Sequence, residues 1–376
     1  MKYNMRLCAA IEKKLADDYK FLGYVPDDFV IENEDNKKNE YFKQYGYKVP
    51  NYVKDLYYRY NGISSDKYIS SELYLFHIFT YLVSRQMMFA YIDKNNYEMI
   101  FPDVPQPKVI VRNQNGYLSY GRTKDYGLVS KDQAVEALSE YDSFIIKPTN
   151  DSGGGKGVRK IKLSKGLSQR GETIGDILDS YGQDWVAQEV VEQYELLNRL
   201  NANSLNTMRI ITYRNRDGNF VFLGAFIRFG INNAEVDSGA RGGLICKVTR
   251  DGLINDRIFH IKSYKKSSLK EMLNLEGMCI PEFSNVIDFC YNLHSKLNYF
   301  DLCGWDIAIG KDGKPVFIEL NQYPDCESFQ MVNGPFFGDY TDEVMEKVSK
   351  NKTQFTLSIR REFENNRMAE FWLADI

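Results

Sequence analysis

WDIAIGKDGKPVFIELNQY, residues 305–323, reads as two strands folded back on one another. Trp305, Ile307 and Ile309 alternate along the first strand, Lys311-Asp312-Gly313 makes the turn, and residues 315–320 return. Asp-Gly between two alternating runs is a strong hairpin signal, because glycine supplies the positive φ that the turn requires. Residues two apart on a strand share a face, so Glu319 and Asn321 project together and Asp306 can join them from the neighbouring strand. Two carboxylates and an amide oxygen crowd one another unless something positive lies between them. Hard oxygen donors of this kind suit Mg²⁺, and Mn²⁺ as well. A solvated sheet face carrying ordinary surface acids accounts for the same spacing, so the rest of the chain has to decide.

The chain has 376 residues, room for two or three domains with sizeable cores. Hydrophobic residues make up 43% and charged residues 26%, as in an ordinary water-soluble globular protein. The net charge of −3 offers no basic stripe for nucleic acid. The six cysteines (Cys8, Cys246, Cys279, Cys290, Cys303 and Cys326) are scattered, with no C-x-x-C, a pattern of reduced thiols. Residues 1–20 are charged throughout and lack an apolar core, and the most apolar run, 73–83, is too short to span a bilayer. The expectation is a cytoplasmic protein with no membrane span.

Up to about Gly62 the apolar period is helical, with Cys8, Ile11, Leu15 and Leu22 on one face. Residues 32–40 are a charged connector. The Tyr- and Lys-rich run 41–60 suits either a platform stacking on sugar rings or, more commonly, a helix with its rings turned inward. Residues 70–91 read as one long apolar helix. Pro102, Pro105 and Pro107 then force extended backbone, 108–112 is a strand, and Ser130 with Gln133 forms a capping box opening a short helix. Strands, hairpins and glycine loops follow almost to residue 340.

Within that part, FIIKP (144–148) is a short strand ending in Lys147, and it feeds TNDSGGGKGVRKIKL. Gly153, Gly154, Gly155 and Gly157 would let backbone N–H groups close on an anion, with Lys147 and Lys156 adding charge. A Walker A loop would need Ser or Thr where Gly157 stands, and a dinucleotide fingerprint would open a helix where a strand follows. A glycine-rich flap between antiparallel strands remains, serving either as a phosphate cradle or as a plain hairpin tip. Residues 173–181 form a helix closed by Gly182, and 184–191 read as an edge or hinge strand. A further hairpin turns at Asp217-Gly218, carrying Arg209 and Arg228 among apolar neighbours. Arg241 lies in the loop DSGARGG, ahead of Lys247. Residues 281–300 read as a packing helix behind the first hairpin, and 341–376 as a closing helix.

In this order the residues resemble the ATP-grasp superfamily: strand lysine, glycine flap, hinge strand and a late D…E-x-N hairpin. The run LNTMRI (205–210), then GARGGLICKV (239–248), then WD…IELN (305–321) is most similar to its sugar-transfer-associated group. The resemblance implies an α+β fold of two lobes with ATP between them, preceded by a mainly helical N-terminal region. It divides the chain into a helical region (1–92), an entry segment (93–140), a lobe with the flap (141–192), a lobe with the metal site (193–345) and a C-terminal helix (346–376). It implies that Lys94, Lys147, Gly153, Gly154, Gly155 and Lys156 meet the ATP phosphates. Gln188, Glu189 and Val191 would meet the adenine and Glu195 the ribose. Asp306, Glu319 and Asn321 would hold Mg²⁺, and Arg209 and Arg241 would act on the transferred phosphoryl group and the substrate carboxylate. The implied activity is ATP-dependent carboxylate–amine ligation through an acyl phosphate, with a small-molecule or saccharide carboxylate and an amine as partners. A kinase, or a nucleotide- or glycan-binding module without catalysis, are the alternatives.

Overall fold

The computed structural model describes residues 39–150, 155–230, 243–260 and 275–350. The chain forms two compact units. One is built from Arg85–Arg214 and Phe220–Pro324; the described part of the other comes from 39–84, Asn215–Asn219 and 325–350.

The larger unit holds two six-stranded sheets. The first comprises β1 (Val109–Gln114), β2 (Tyr117–Tyr120), β3 (Ser143–Pro148), β4 (Arg159–Ser164), β5 (Leu167–Ser168) and β6 (Trp185–Glu189), in the order β2-β1-β6-β3-β4-β5. One face is covered by the helices α1 (Lys131–Ser139) and α2 (Ile174–Tyr181). Both helices start at capping boxes, Ser130 with Gln133 and Thr173 with Asp176, so their first N–H groups are satisfied locally. Their apolar stripes meet Val111, Phe144, Ile146, Ile161, Trp185 and Ala187 in one core. The strand expected at an edge or hinge, β6, is central, paired with β1 on one side and β3 on the other. Its unbroken burial from Trp185 to Gln188 reflects that position.

The second sheet comprises β7 (Thr207–Arg214), β8 (Phe220–Phe229), β9 (Leu244–Val248), β10 (Ile254–His260), β11 (Leu302–Ile309) and β12 (Pro315–Asn321), ordered β10-β9-β8-β7-β11-β12. β11 and β12 are the expected hairpin, turning through Gly313 at φ 80°. The helix α3 (Phe283–Ser295) turns Phe283, Val286, Ile287, Cys290 and Leu293 into the core. His294 on α3 lies in a buried relay. Trp305 Nε1 donates to Thr212 Oγ1 at 2.8 Å, and the His294 ring bonds Thr212 Oγ1 at 2.8 Å and the Phe300 carbonyl at 3.0 Å. A carbonyl only accepts, so Nε2 carries the proton and Nδ1 accepts from Thr212. Burial pushes His294 down to about 4, so the ring is neutral and structural.

β11 does not alternate in exposure: all eight residues are buried. Its polar-side residue, Asp306, is covered by the ion pairs described below. The long helix expected over 70–91 is divided instead. A π-helical stretch, Tyr74–Phe79, is followed by one helical turn, Thr80–Leu82. Buried Val83 is extended at φ −124°, ψ 121°, and a separate helix runs Arg85–Ile92. No Gly or Pro marks the break; tertiary packing overrides the apolar run.

In the smaller unit, rings of the Tyr-rich run point largely inward. Tyr47 and Tyr57 are buried, and Tyr57 stacks on Tyr68 at 5.1 Å. Tyr41 and Tyr45 both donate to Asp342 at 2.6 Å, on the helix Thr341–Lys350. Only Tyr58 in this run exposes half its surface among the described rings. The expected N-terminal helical face (Cys8, Ile11, Leu15, Leu22) and the closing helix beyond 350 lie outside the described residues. Among the described residues no helix is long and apolar enough to cross a membrane.

Candidate active site

The register of the second sheet sorts its side chains. Asp306 pairs with Glu319 on β12 and Arg209 on β7, Gly304 with Asn321, and Thr207 with Arg228 on β8. Arg209 pairs with Phe226, which pairs with Lys247 on β9. By the period of two, Arg209, Arg228, Lys247, Asp306, Glu319 and Asn321 share one face. The other face carries Met208, Ile210, Trp305 and Ile307 into the core.

A β-bulge makes this possible. Ile307 pairs with Phe317 and Asp306 with Glu319, leaving Ile318 as the extra residue. Without it Phe317 and Glu319 would share a face. With it Phe317 packs among Tyr97, Phe101 and Trp305, at ring distances of 4.9–6.2 Å, while Glu319 and Asn321 turn to the polar side. Bulges re-aim side chains in this way beside active sites. The Tyr97 hydroxyl accepts from the Leu320 N–H at 3.2 Å and so holds the backbone between the two ligand candidates.

Charge on the polar face is balanced by named partners. Arg209 grips Asp306 through Nε and Nη2, and Arg228 Nη2 donates to the same carboxylate at 2.7 Å. Burial alone drives the Asp306 carboxyl upward; the two guanidiniums outweigh it and hold it below the usual carboxylate range. Lys94 Nζ lies 2.9 Å from Glu319 Oε1 and donates to the Thr149 carbonyl at 3.4 Å, just past the end of β3. Lys94 therefore joins the β11–β12 hairpin to the end of β3. Burial, and then the neighbouring Lys94, push the Lys147 ammonium down to about 8 against the pull of Glu319.

The structure thus brings Lys94, Lys147, Arg209, Asp306, Glu319 and Asn321 together. Two opposed carboxylates and an amide oxygen are an all-oxygen donor set, which fits Mg²⁺. Gln188 is on the Lys147 face of the first sheet, since Lys147 pairs with Val186 and Ile145 with Gln188. Its amide donates to the Pro107 carbonyl at 3.2 Å. Glu189 is on the opposite, helix-covered face, where it accepts from Lys108 at 2.8 Å and Tyr141 at 3.0 Å. Val191 is half-buried beyond β6, and Glu195 is exposed in the short helix Glu195–Asn198. Gly155 and exposed Lys156 lie in the turn between β3 and β4. There Gly157 is at φ 73°, and a Cβ on it would meet Pro148 at 2.8 Å. Gly153, Gly154 and Arg241 lie outside the described residues. Arg228 and Lys247 join this face without a role expected from the sequence; their signal is a cation at an in-register position of an apolar strand.

This arrangement of two sheets and a charged hairpin face is that of an ATP-grasp protein, and the fold is an α+β ATP-grasp-like one. The pattern of the sugar-transfer associated ATP-grasp family matches residues 84–345, and the chain belongs to that family. Comparison with curated proteins returns no match. Among solved structures the chain is similar to the ATP-grasp ligase PsnB complexed with minimal precursor, Mg and ADP, at 14% identity. That match covers 71% of this chain and 62% of PsnB, with a TM-score of 0.40. It is also similar to D-alanyl-alanine synthetase A from Vibrio cholerae O1 biovar eltor, at 12% identity over 68% of this chain and 63% of that one (TM-score 0.38). Biotin carboxylase from Campylobacter jejuni is 12% identical, over 70% and 48%, with a TM-score of 0.42. The chain spans less than two thirds of the length of each.

Proposed function

We propose that the chain is an ATP-dependent carboxylate–amine ligase, with ATP held between the two sheets of the larger unit. The observation that carries this reading is the polar face on which Asp306 and Glu319 oppose one another beside Lys94 and Lys147. Lys94 and Lys147 bind the ATP phosphates, and Lys156, Gly153, Gly154 and Gly155 add further contacts to them. Gln188 and the backbone at Glu189 and Val191 border the adenine, and Glu195 the ribose. Asp306, Glu319 and Asn321 would hold Mg²⁺, which when bound supplies positive charge to the phosphates. Arg209 fixes the Asp306 carboxylate and, with Arg241, faces the substrate carboxylate and the transferred group.

A carboxylate does not react with an amine at neutral pH, because the leaving group would be oxide. Here a carboxylate oxygen attacks the γ-phosphorus, the β–γ bridging bond breaks and ADP leaves. The amine then attacks the acyl carbon, the C–O bond to phosphate breaks, and the amine nitrogen gives up a proton as the amide forms. The chain's task is positioning and charge balance. The family's sugar-transfer association favours a uronic acid of a surface polysaccharide, or its nucleotide-sugar precursor, as the carboxylate.

The test is a matrix of uronic acids and amines scored for ADP release. Release that needs both partners is expected; a phosphorylated product formed without an amine overturns the ligase reading in favour of a kinase. Lys147 adds a pH signature. Its ammonium is fully present below about 8 and is lost above it. Bound phosphate favours the charged form, so nucleotide affinity is expected to be flat below pH 8. Above it, affinity falls by about 10-fold per pH unit until the bound-state value is reached. Calorimetric titration from pH 6.5 to 9.5 checks this, and Lys147→Met removes the slope.

A further inference from the structure

We propose that Arg112 is a positioning residue for Lys94: its guanidinium grips the backbone turn that carries Lys94 and fixes where that ammonium stands. The inference rests on the reading of Lys94 as a nucleotide ligand. Arg112 is on β1, in register with Val186 on β6, which pairs in turn with Lys147 on β3. It therefore lies on the Lys147 face of the first sheet, two strands away, and is only 1% exposed.

A guanidinium withdrawn from water in a strand is costly unless its donors are used. Arg112 Nη1 donates to the carbonyl of Asn95, the residue after Lys94, and Nη2 donates to the buried carboxylate of Glu98. The Tyr126 ring covers the guanidinium at 5.3 Å. The adjacent residue of β1 repeats the tie, its Asn113 carbonyl accepting from the Asn95 amide at 2.9 Å. On the other flank Asp93 caps the turn, accepting from the Asn95 N–H at 2.9 Å. The short 3-10 turn Lys94–Asn96 is thus fastened to β1 at two neighbouring points. Lys94 leaves this anchored turn to reach Glu319 on β12, in the other sheet. Arg112 forms none of the contacts that hold Glu319 or Asp306. It acts on the site through Lys94.

A purely structural ion pair with Glu98 would stabilise the fold and leave the position of Lys94 alone, so the two roles separate in a double-mutant cycle. Binding of ADP with Mg²⁺ to the full chain is measured by calorimetry for wild type, R112M, R112K, K94M and each Arg112 variant combined with K94M. Unfolding midpoints are recorded alongside. Lysine keeps the charge facing Glu98 but lacks the planar fork that also reaches Asn95. R112K is therefore expected to melt near the wild type yet bind on the order of 10- to 100-fold more weakly, the scale of a misplacement of about 1 Å. Both double variants are expected to bind no more weakly than K94M alone, because the effect passes through Lys94. Running the cycle with R112K frees it from the fold surviving the apolar variant. Effects of Arg112 and Lys94 that multiply, or R112K binding as tightly as wild type, overturn the positioning role. A wild type that binds no nucleotide overturns the nucleotide reading itself and this inference with it.

Discussion

Glu319→Gln is expected to lower ATP-dependent ADP release by about 100- to 1,000-fold, the usual loss when one preorganised charged group is removed from a transition state. The unfolding free energy should move by only about 1 kcal/mol. Both halves follow from where the residue sits. Its carboxylate opposes Asp306 across the hairpin and is one of the two acids of the proposed Mg²⁺ set, so neutralising it removes a charge there without changing shape. Its side chain is 38% exposed, so its pair with Lys94 is screened by water. Lys94 also retains the Thr149 carbonyl as an acceptor. Steady-state ADP release and urea unfolding, run on one preparation, check the two halves together. Near-wild-type turnover would remove Glu319 from the metal assignment. A loss of several kcal/mol would mean that the residue is chiefly structural.

The hairpin was legible because two local rules, a period of two and an Asp-Gly turn, fix most of it. Glu319 and Asn321 share a face as their spacing requires. The bulge at Ile318 was not legible. Uniform alternation from Val316 to Leu320 would bury Phe317 beside Glu319, and only tertiary demand for a ring between Tyr97 and Trp305 shows why the strand departs from it. The central place of β6 was hidden for a related reason, since strand order depends on partners far apart in sequence. Parity within β6 does carry information. Glu189 is in phase with core residues Trp185 and Ala187, which puts its carboxylate on the helix side, whereas Gln188 is in phase with the Lys147 partner Val186. Arg112, a cation in an apolar strand, carried the same local signal as Arg228, but not its partner, because that lies in a turn 17 residues upstream.

Asp306→Asn is expected to behave differently from Glu319→Gln, losing both turnover and about 3–5 kcal/mol of stability. Asp306 is 3% exposed, with two guanidiniums on one carboxylate. Asparagine removes the carboxylate that Arg209 and Arg228 share and leaves Arg209, 6% exposed, charged and out of water, and arginine cannot escape by deprotonating. The folded-state carboxyl titrates below its ordinary value, so its stabilisation is complete above the unfolded value of about 3.9. It is lost as pH falls through the lower folded one. The stability gap between wild type and Asp306→Asn should therefore be constant from pH 5 to 8 and shrink only in stronger acid. The remedy follows from the same reasoning. Replacing the whole cluster, with Asp306→Leu, Arg209→Met and Arg228→Met together, removes the buried Asp306–Arg209 pair and the half-buried Arg228 charge at once and should recover most of the lost stability without any turnover. If the single variant melts with the wild type, the two arginines are not held by Asp306. If the triple variant turns over, the charged face is not the catalytic one.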